Sequence, residues 1–249
     1  MIAVAIVASG SGPGSAEAPK PSSPAKRAGP AKKGPAAPAK PPRFERADVM
    51  RMHMHENFDL LRAIERLLIF GKLDDAKRFA AAISEAPDSP AHGPWAAHVV
   101  EVRDKAAALA RATSVEQALR REAELAGACA GCHVEAGVGP QLGEFPPPPD
   151  VPTVEGRMLR HRWAADRMWE GIVAGADEPW RAGLAVLRAK PLDWGPDRAE
   201  HARDLQRLAA LASTQKGSAP DARVRAYGHM LVTCAACHTG KPAPVRKLP

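Results

Sequence analysis

The sequence predicts an all-α protein, and three features of the chain lead to that expectation. After residue 44, apolar residues recur at spacings of three and four, which places them on one face of a helix. Alanine is abundant, whereas the chain has one tyrosine and five phenylalanines, a composition that favours helices over sheets. No segment shows the alternation of apolar and polar residues that is typical of a half-buried strand. The 249 residues suffice for one large domain or two small ones.

The first two helices are predicted from an apolar stripe and from the residues that interrupt it. Gly71 ends the first helix in the manner of a C′ glycine. A second helix is expected from Leu73 to about Glu85, where Pro87 and Pro90 prevent its continuation. The stripe of the first helix consists of Met50, Met54, Asn57, Leu61, Ile64 and Leu68.

The third and fourth helices complete the first half of the chain. The third is expected to start near Trp95 and to run through Leu109. Thr113-Ser-Val-Glu116 has the pattern of a capping box and predicts the start of the fourth helix. The fourth helix then carries Leu119, Glu122 and Leu125 and continues into Cys129 and His133.

The second half repeats the first at a distance of 104 residues. Gly175 takes the place of Gly71. The glycine precedes the next cysteine by 58 residues in the first half and by 59 in the second. The matched stripe of the second half is Val154, Met158, His161, Ala165, Met168 and Ile172.

This repetition predicts two tandem four-helix bundles. They are expected over 44–138 and 153–249, and each has a tryptophan, Trp95 or Trp194, before its third helix. The intervening residues 139–152 are rich in proline and predict a stiff linker.

Each half ends in a Cys-x-x-Cys-His motif, the pattern for covalent attachment of a c-type haem. The two thiols of such a motif form thioethers with the haem vinyl groups, and the histidine ligates the iron from the proximal side. The two motifs use all four cysteines of the chain, so they predict two covalently bound haem c groups. The attachment residues are Cys129, Cys132, Cys234 and Cys237, and the proximal ligands are His133 and His238.

Two other interpretations of the cysteines are weaker. A thioredoxin-like redox pair belongs in a βαβ context, which this sequence does not suggest. A single structural zinc site would have to join two cysteine pairs about a hundred residues apart, and it would leave the histidine after each pair unexplained.

The arrangement resembles cytochrome c′ and its low-spin relatives, in which a four-helix bundle carries Cys-x-x-Cys-His near the end of its fourth helix. The resemblance covers nearly everything after residue 44, once in each half. It implies that the first helix of each half supplies the residue on the distal side of the haem. Some members of the family place a methionine there, whereas others leave an open position that binds small gases.

Carried over to this chain, the resemblance implies different distal residues in the two halves. His161 is expected to be the distal ligand of the second haem, with Met158, one turn earlier, as the alternative ligand. A buried His161 bonded to backbone or to a propionate is the non-ligand interpretation. In the first half Asn57 matches His161 and does not normally ligate iron, so His53 or Met54 is expected there, and the sequence does not separate these two. Since His/Met ligation raises the potential relative to bis-His ligation, two haems with separated potentials are predicted.

The remaining candidates have simpler interpretations. Histidines at loops or polar faces are expected to be surface or capping residues: His92, His98, His201 and His229. His55 is expected to point away from the core. Tryptophans of the second half are expected to fill its core or to wall the haem pocket: Trp163, Trp169 and Trp180. Arginines at the start of its first helix are expected to be solvated or to reach a propionate: Arg157, Arg160 and Arg162.

The function predicted from these features is one-electron transfer between redox partner proteins by a dihaem c-type cytochrome that is not an enzyme. The alternative is a haem protein that binds or senses NO or CO. Peroxidase chemistry ranks lowest, because no acid–base pair is apparent beside an open iron. The donor, the acceptor and the oligomeric state are not encoded in a recognisable form.

The N-terminal region predicts export and a tether. Residues 2–8 form an apolar run that is too short to span a bilayer and is similar to the core of a secretory signal, so 1–10 are expected to belong to such a signal. A periplasmic or exported location in a bacterium is therefore expected. Residues 11–43 predict a disordered linker rich in Pro, Ala and Lys, with weak contact to an anionic membrane surface as an alternative to simple solvation.

The charge of the chain does not indicate a nucleic-acid partner. Residues 1–43 hold seven Lys and Arg against one acid, which gives +6 of the net charge of +7 and leaves the remainder of the chain near neutrality.

Overall fold

Helices account for all regular secondary structure in the part of the chain that the computed structural model describes, namely residues 46–87, 92–140, 146–189, 195–214 and 220–240. These residues form eight α-helices and no strand, so the all-α prediction is confirmed. None of the described helices combines the length and the apolar character needed to cross a membrane. The predicted signal and linker, 1–43, and Trp194 lie outside the described residues.

The first four helices occupy the expected parts of the first half. They are α1 (Arg46–Ile69), α2 (Leu73–Ser84), α3 (Ala96–Ala110) and α4 (Val115–Ala136), and a short 3-10 turn, Gly93–Trp95, leads into α3. Gly71 follows α1 with a φ of 75°, a left-handed conformation that favours glycine and ends the helix as predicted.

The cap of α4 lies one residue later than predicted. Ser114 has extended backbone angles, and its hydroxyl accepts a hydrogen bond from the Gln117 backbone N–H at 3.1 Å. The Gln117 side-chain oxygen in turn accepts from the Thr113 backbone N–H at 2.8 Å. The capping pair is therefore Ser114 and Gln117 and not Thr113 and Glu116, because Ser114 is the residue with N-cap geometry.

The second half has the same succession of helices. They are α5 (Val154–Val173), α6 (Asp177–Ala189), α7 (Pro196–Thr214) and α8 (Pro220–Thr239). The Thr153 hydroxyl caps α5 by accepting from the Gly156 backbone N–H at 3.1 Å. Gly175, with a φ of 62°, follows α5 as Gly71 follows α1.

Consecutive helices pack as neighbours in both halves, and the halves pack on each other. The first helix also contacts the fourth in each half, α1 with α4 and α5 with α8. Between the halves, α4 packs along α8, while α4 also contacts α5 and α1 also contacts α8. These helices belong to one compact unit, Phe44–Pro249. Their division into two domains at 139–152 stays a prediction.

Residues at matched positions of the two halves touch each other. Arg62 of α1 forms an ion pair with Asp166 of α5, which lies 104 residues later. On α8, a Cβ added at Gly228 would lie 3.3 Å from the Cβ of Ala123 on α4, 105 residues earlier. Contacts between equivalent residues are the mark of a two-fold relation, so the halves meet through corresponding faces.

The core is built largely from alanine and leucine, with aromatic residues in the second half. Trp169 and Trp180 are buried, at 3% and 4% exposure, and Trp163 packs against the same core. The core-filling interpretation of these tryptophans is therefore confirmed.

A buried hydrogen bond joins the two halves. The Tyr227 hydroxyl on α8 donates to the Glu65 carboxylate on α1 at 2.8 Å. The same carboxylate oxygen accepts from Arg62 at 3.0 Å. Tyr227 is 1% exposed and Glu65 is 5% exposed, so water does not replace a lost partner easily.

Replacement of Tyr227 by phenylalanine is expected to destabilise the protein by about 1–3 kcal/mol, because Glu65 then loses a buried donor while the ring packing is kept. Urea unfolding of the full chain measures this change. Glu65→Gln retains a hydrogen-bond acceptor at this position. The double variant, Glu65→Gln with Tyr227→Phe, should lose less stability than the sum of the losses in the two single variants. A Tyr227→Phe variant as stable as the parent would show that the hydrogen bond is energetically neutral.

Candidate functional site

The motif of the second half opens onto a cavity. Cys234 and Cys237 lie three residues apart on α8, so their thiols share one face of the helix, and His238 follows immediately. All three residues line a cavity of about 430 Å³. That volume lies within the range of ligand pockets in proteins.

The structure places both predicted distal residues at this cavity. Met158 and His161, one turn apart on α5, line it together with the motif on α8. Burial and, to a smaller extent, the nearby His238 together lower the pKa of His161 to about 4. His161 is therefore neutral at pH 7, which is the protonation state in which an imidazole binds a metal.

The cavity wall is strongly cationic. Arginines from three helices line it: Arg62, Arg66, Arg162 and Arg198. Among the described lining residues Glu65 is the single acid, and its carboxylate is bound by Arg62 and Tyr227. These arginines therefore suit a ligand that carries carboxylates, as haem does.

Helix α1 of the first half forms one wall of this cavity. Arg62, Glu65, Arg66, Ile69 and Phe70 all contribute to the lining. The second motif is therefore enclosed by residues from both halves.

His201 was wrongly expected to be a surface residue. It is 7% exposed, it lines the cavity from α7, and its Nδ1 atom has no hydrogen-bond partner among the described residues. Its position was readable from the apolar stripe of α7, because His201, Leu205, Leu208 and Ala212 follow one another at spacings of four, three and four. The expectation that His201 is exposed was based only on the polar type of the residue.

The first motif lies on α4 and is covered by α3. The Nδ1 atom of His98 lies 3.3 Å from the place that a Cβ would take at Gly131, inside the motif. The Nε2 atom of His98 is 2.9 Å from the Glu135 carboxylate. His133 is half-buried, burial lowers its pKa, and its Nδ1 atom has no hydrogen-bond partner among the described residues.

The predicted distal residues of the first half occupy a polar cluster. The Asn57 side-chain amide lies 3.3 Å from the Nε2 atom of His53. The ring of His53 is 5.3 Å from the ring of His92 between centroids. His92 is 4% exposed, so the expectation of a surface position was wrong for it as well.

Met54 is half-buried and His55 is exposed, as expected for His55. The choice between His53 and Met54 stays open.

The cysteines are half-buried, and their raised pKa values are typical of thiols rather than of reactive thiolates. Burial raises the pKa of Cys129 to about 12, with Glu122 acting in the same direction. Burial likewise raises the pKa of Cys234 to about 12. Thiol–disulfide catalysts instead need a lowered pKa, so these values oppose a thioredoxin-like role.

The two motifs do not form a joint metal-binding group among the described residues. All four cysteines are unpaired, and the described residues contain no group of three or more His, Cys, Asp or Glu arranged to hold a metal ion. The thiols are thus not gathered as a single four-cysteine zinc site requires.

No protein-family model, curated protein or solved structure matches this chain. The functional argument therefore depends on the residues of the two motifs and of the cavity.

Proposed function

We propose that the chain is a dihaem c-type cytochrome that transfers single electrons between redox partner proteins. The observation that carries this proposal is the convergence of Cys234, Cys237 and His238 with His161 on one cavity. The sequence motif requires two thiols and an adjacent imidazole, and the opposite helix supplies a second, neutral imidazole.

Each residue of the second site has a defined task in this proposal. Cys234 and Cys237 attach the porphyrin, His238 is the proximal ligand and His161 is the distal ligand, with Met158 as the alternative. Arg198 and His201, three residues apart on α7, are placed to bind porphyrin carboxylates. A haem iron held by His238 and His161 would supply one-electron oxidation and reduction, and ligation by both residues would leave no open position for substrate chemistry.

The first site is proposed to hold a second haem on Cys129 and Cys132, with His133 as its proximal ligand. The two halves are then tandem bundles that resemble cytochrome c′, and their different distal residues give two separated potentials. Export to the periplasm of a bacterium belongs to the same proposal, as does a membrane-surface contact through the basic segment 11–43.

Mass spectrometry of natively matured full-length protein tests the assignment. We expect the mass of the polypeptide plus two covalently bound haems. The paired change Cys234→Ala and Cys237→Ala should remove one haem, and the paired change Cys129→Ala and Cys132→Ala should remove the other. A parent protein without covalently bound haem would contradict the proposed function.

A gas-binding function is the second candidate, and one observation favours it at the first site. Asn57 takes the position that His161 has in the second half, and its amide lies beside the Nε2 atom of His53, the nitrogen that a ligand on this side would present. If that contact persists and Met54 does not ligate, the first iron would lack a distal protein ligand. A reduced protein in which one of two haems is high-spin and shifts with CO would support this function.

A further inference from the structure

The end of α1 lies directly against the end of α8. The ring of Phe70 is 5.1 Å from the imidazole of His238 between centroids, and the two planes meet at 76° in an edge-to-face contact. The adjoining Gly71 lies against the same turn, because a Cβ added there would be 3.1 Å from the Cγ2 atom of Thr239. Phe70 belongs to the first half, whereas His238 is the motif histidine of the second.

Core packing does not explain the position of Phe70. Its side chain is 55% exposed, although a phenylalanine gains free energy from burial. His238 is exposed to the cavity as well, and the Phe70 ring is the aromatic contact recorded for its imidazole among the described residues. An edge-to-face contact between aromatic rings has a preferred geometry, and it restricts the rotation of an otherwise exposed ring.

The matched position in the other half lacks an aromatic ring. Ala174 follows α5 as Phe70 follows α1, and its Cβ lies 3.1 Å from the place that a Cβ would take at Gly139. The Cγ2 atom of Val134 fills the space beside Gly175, at 2.7 Å from an added Cβ. The same junction therefore places aliphatic groups beside the first motif and an aromatic ring beside the second.

We propose that Phe70, contributed by the first half, is a positioning residue for His238 and fixes the plane of its imidazole in the second haem site. Groups that contact a metal ligand set its orientation and thereby tune the metal centre. The inference depends on the proposed function, and it adds that the properties of the second haem are controlled across the boundary between the halves.

The test uses full-length, natively matured protein with Phe70→Ala, Phe70→Tyr and a control, Phe79→Ala. Phe79 is also a partly exposed phenylalanine, at 38%, and lies on α2. Electron paramagnetic resonance of the oxidised protein and a redox titration report each haem separately. We expect Phe70→Ala to shift the g-values and the midpoint potential of one haem while the other is unchanged. Phe70→Tyr, which keeps the ring, should restore both signals, and Phe79→Ala should match the parent.

Three results would overturn the inference. Phe70→Ala could match the parent in both signals, both haems could shift alike, or Phe70→Tyr could fail to restore them. Because Phe70 is exposed, far-UV circular dichroism should show unchanged helix content in every variant. A parent that lacks covalent haem would overturn the proposed function and this inference together, whereas the three results above overturn only the inference.

Discussion

If the chain binds haem as proposed, replacement of His161 by alanine is expected to remove a protein ligand from the second haem. One of the two haems should then change from low-spin to high-spin in the reduced protein and should gain CO binding. The reason is geometric, since His161 is a neutral, half-buried imidazole that shares a cavity with Cys234, Cys237 and His238. An optical difference spectrum with and without CO measures the change, with an expected gain equivalent to one haem per chain.

Three further variants distinguish the proposed role of His161 as a ligand from the roles of other residues. His161→Met should keep the second haem six-coordinate and raise its potential, because a methionine ligand favours the ferrous state relative to histidine. Met158→Leu should leave the spectrum unchanged, and His55→Ala, at an exposed position of α1, serves as the control. If Met158→Leu rather than His161→Ala produces a high-spin haem that binds CO, Met158 is the distal ligand. If neither variant alters the spectrum, both assignments on α5 are wrong.

The helices were predictable because their signals are local. The apolar stripe of the first helix and the glycine that ends it suffice to place α1 and, by repetition, α5. The position of His161 beside the second motif follows from the same stripe. The exact cap of α4 was missed because Thr113 and Ser114 are adjacent and both residue types can cap a helix, so the backbone angles are needed to distinguish them.

The walls of the second site were not predictable, because they come from distant parts of the sequence. Arg62, Arg66 and Phe70 line a cavity whose motif lies more than 160 residues later. A repeat suggests that each half encloses its own motif, and no local pattern reveals that α1 also packs on α8. The buried contact between Glu65 and Tyr227 has the same origin, since its partners are 162 residues apart.

Glu122 is the clearest case of a polar residue in an apolar stripe. It follows Leu119 and precedes Leu125 on α4, and the structure buries it completely. Neither of its carboxylate oxygens has a hydrogen-bond partner among the described residues. Burial raises its pKa well above the usual value, and the nearby Glu65 raises it further, while Arg62 opposes the shift. Glu122 is therefore protonated in the folded protein under conditions in which an exposed glutamate is ionised.

The contribution of Glu122 to stability is consequently expected to fall as the pH rises, and Glu122→Gln should remove that contribution. The folded chain holds a proton on Glu122 that the unfolded chain releases above pH 4.5, so unfolding releases a proton. The stabilisation is complete below the unfolded pKa of 4.5 and is lost as the pH rises towards the raised folded pKa. In that interval the free energy of unfolding should decrease by about 1.4 kcal/mol per pH unit through this group. Glutamine has the same shape but no ionisable proton. The free energy of unfolding of Glu122→Gln should therefore increase relative to that of the parent by this amount for each pH unit.

Urea unfolding of full-length protein at several pH values between 5 and 8 measures the difference between Glu122→Gln and the parent. The matched control is Glu56→Gln, at an exposed position of α1. A constant difference for Glu122→Gln would mean that Glu122 is ionised in the folded protein and that Arg62 outweighs burial and Glu65. The site would then hold a buried carboxylate close to Cys129, and the negative charge would stabilise the ferric form of the first haem. The slope of this one comparison therefore decides whether the environment of the first motif is neutral or anionic.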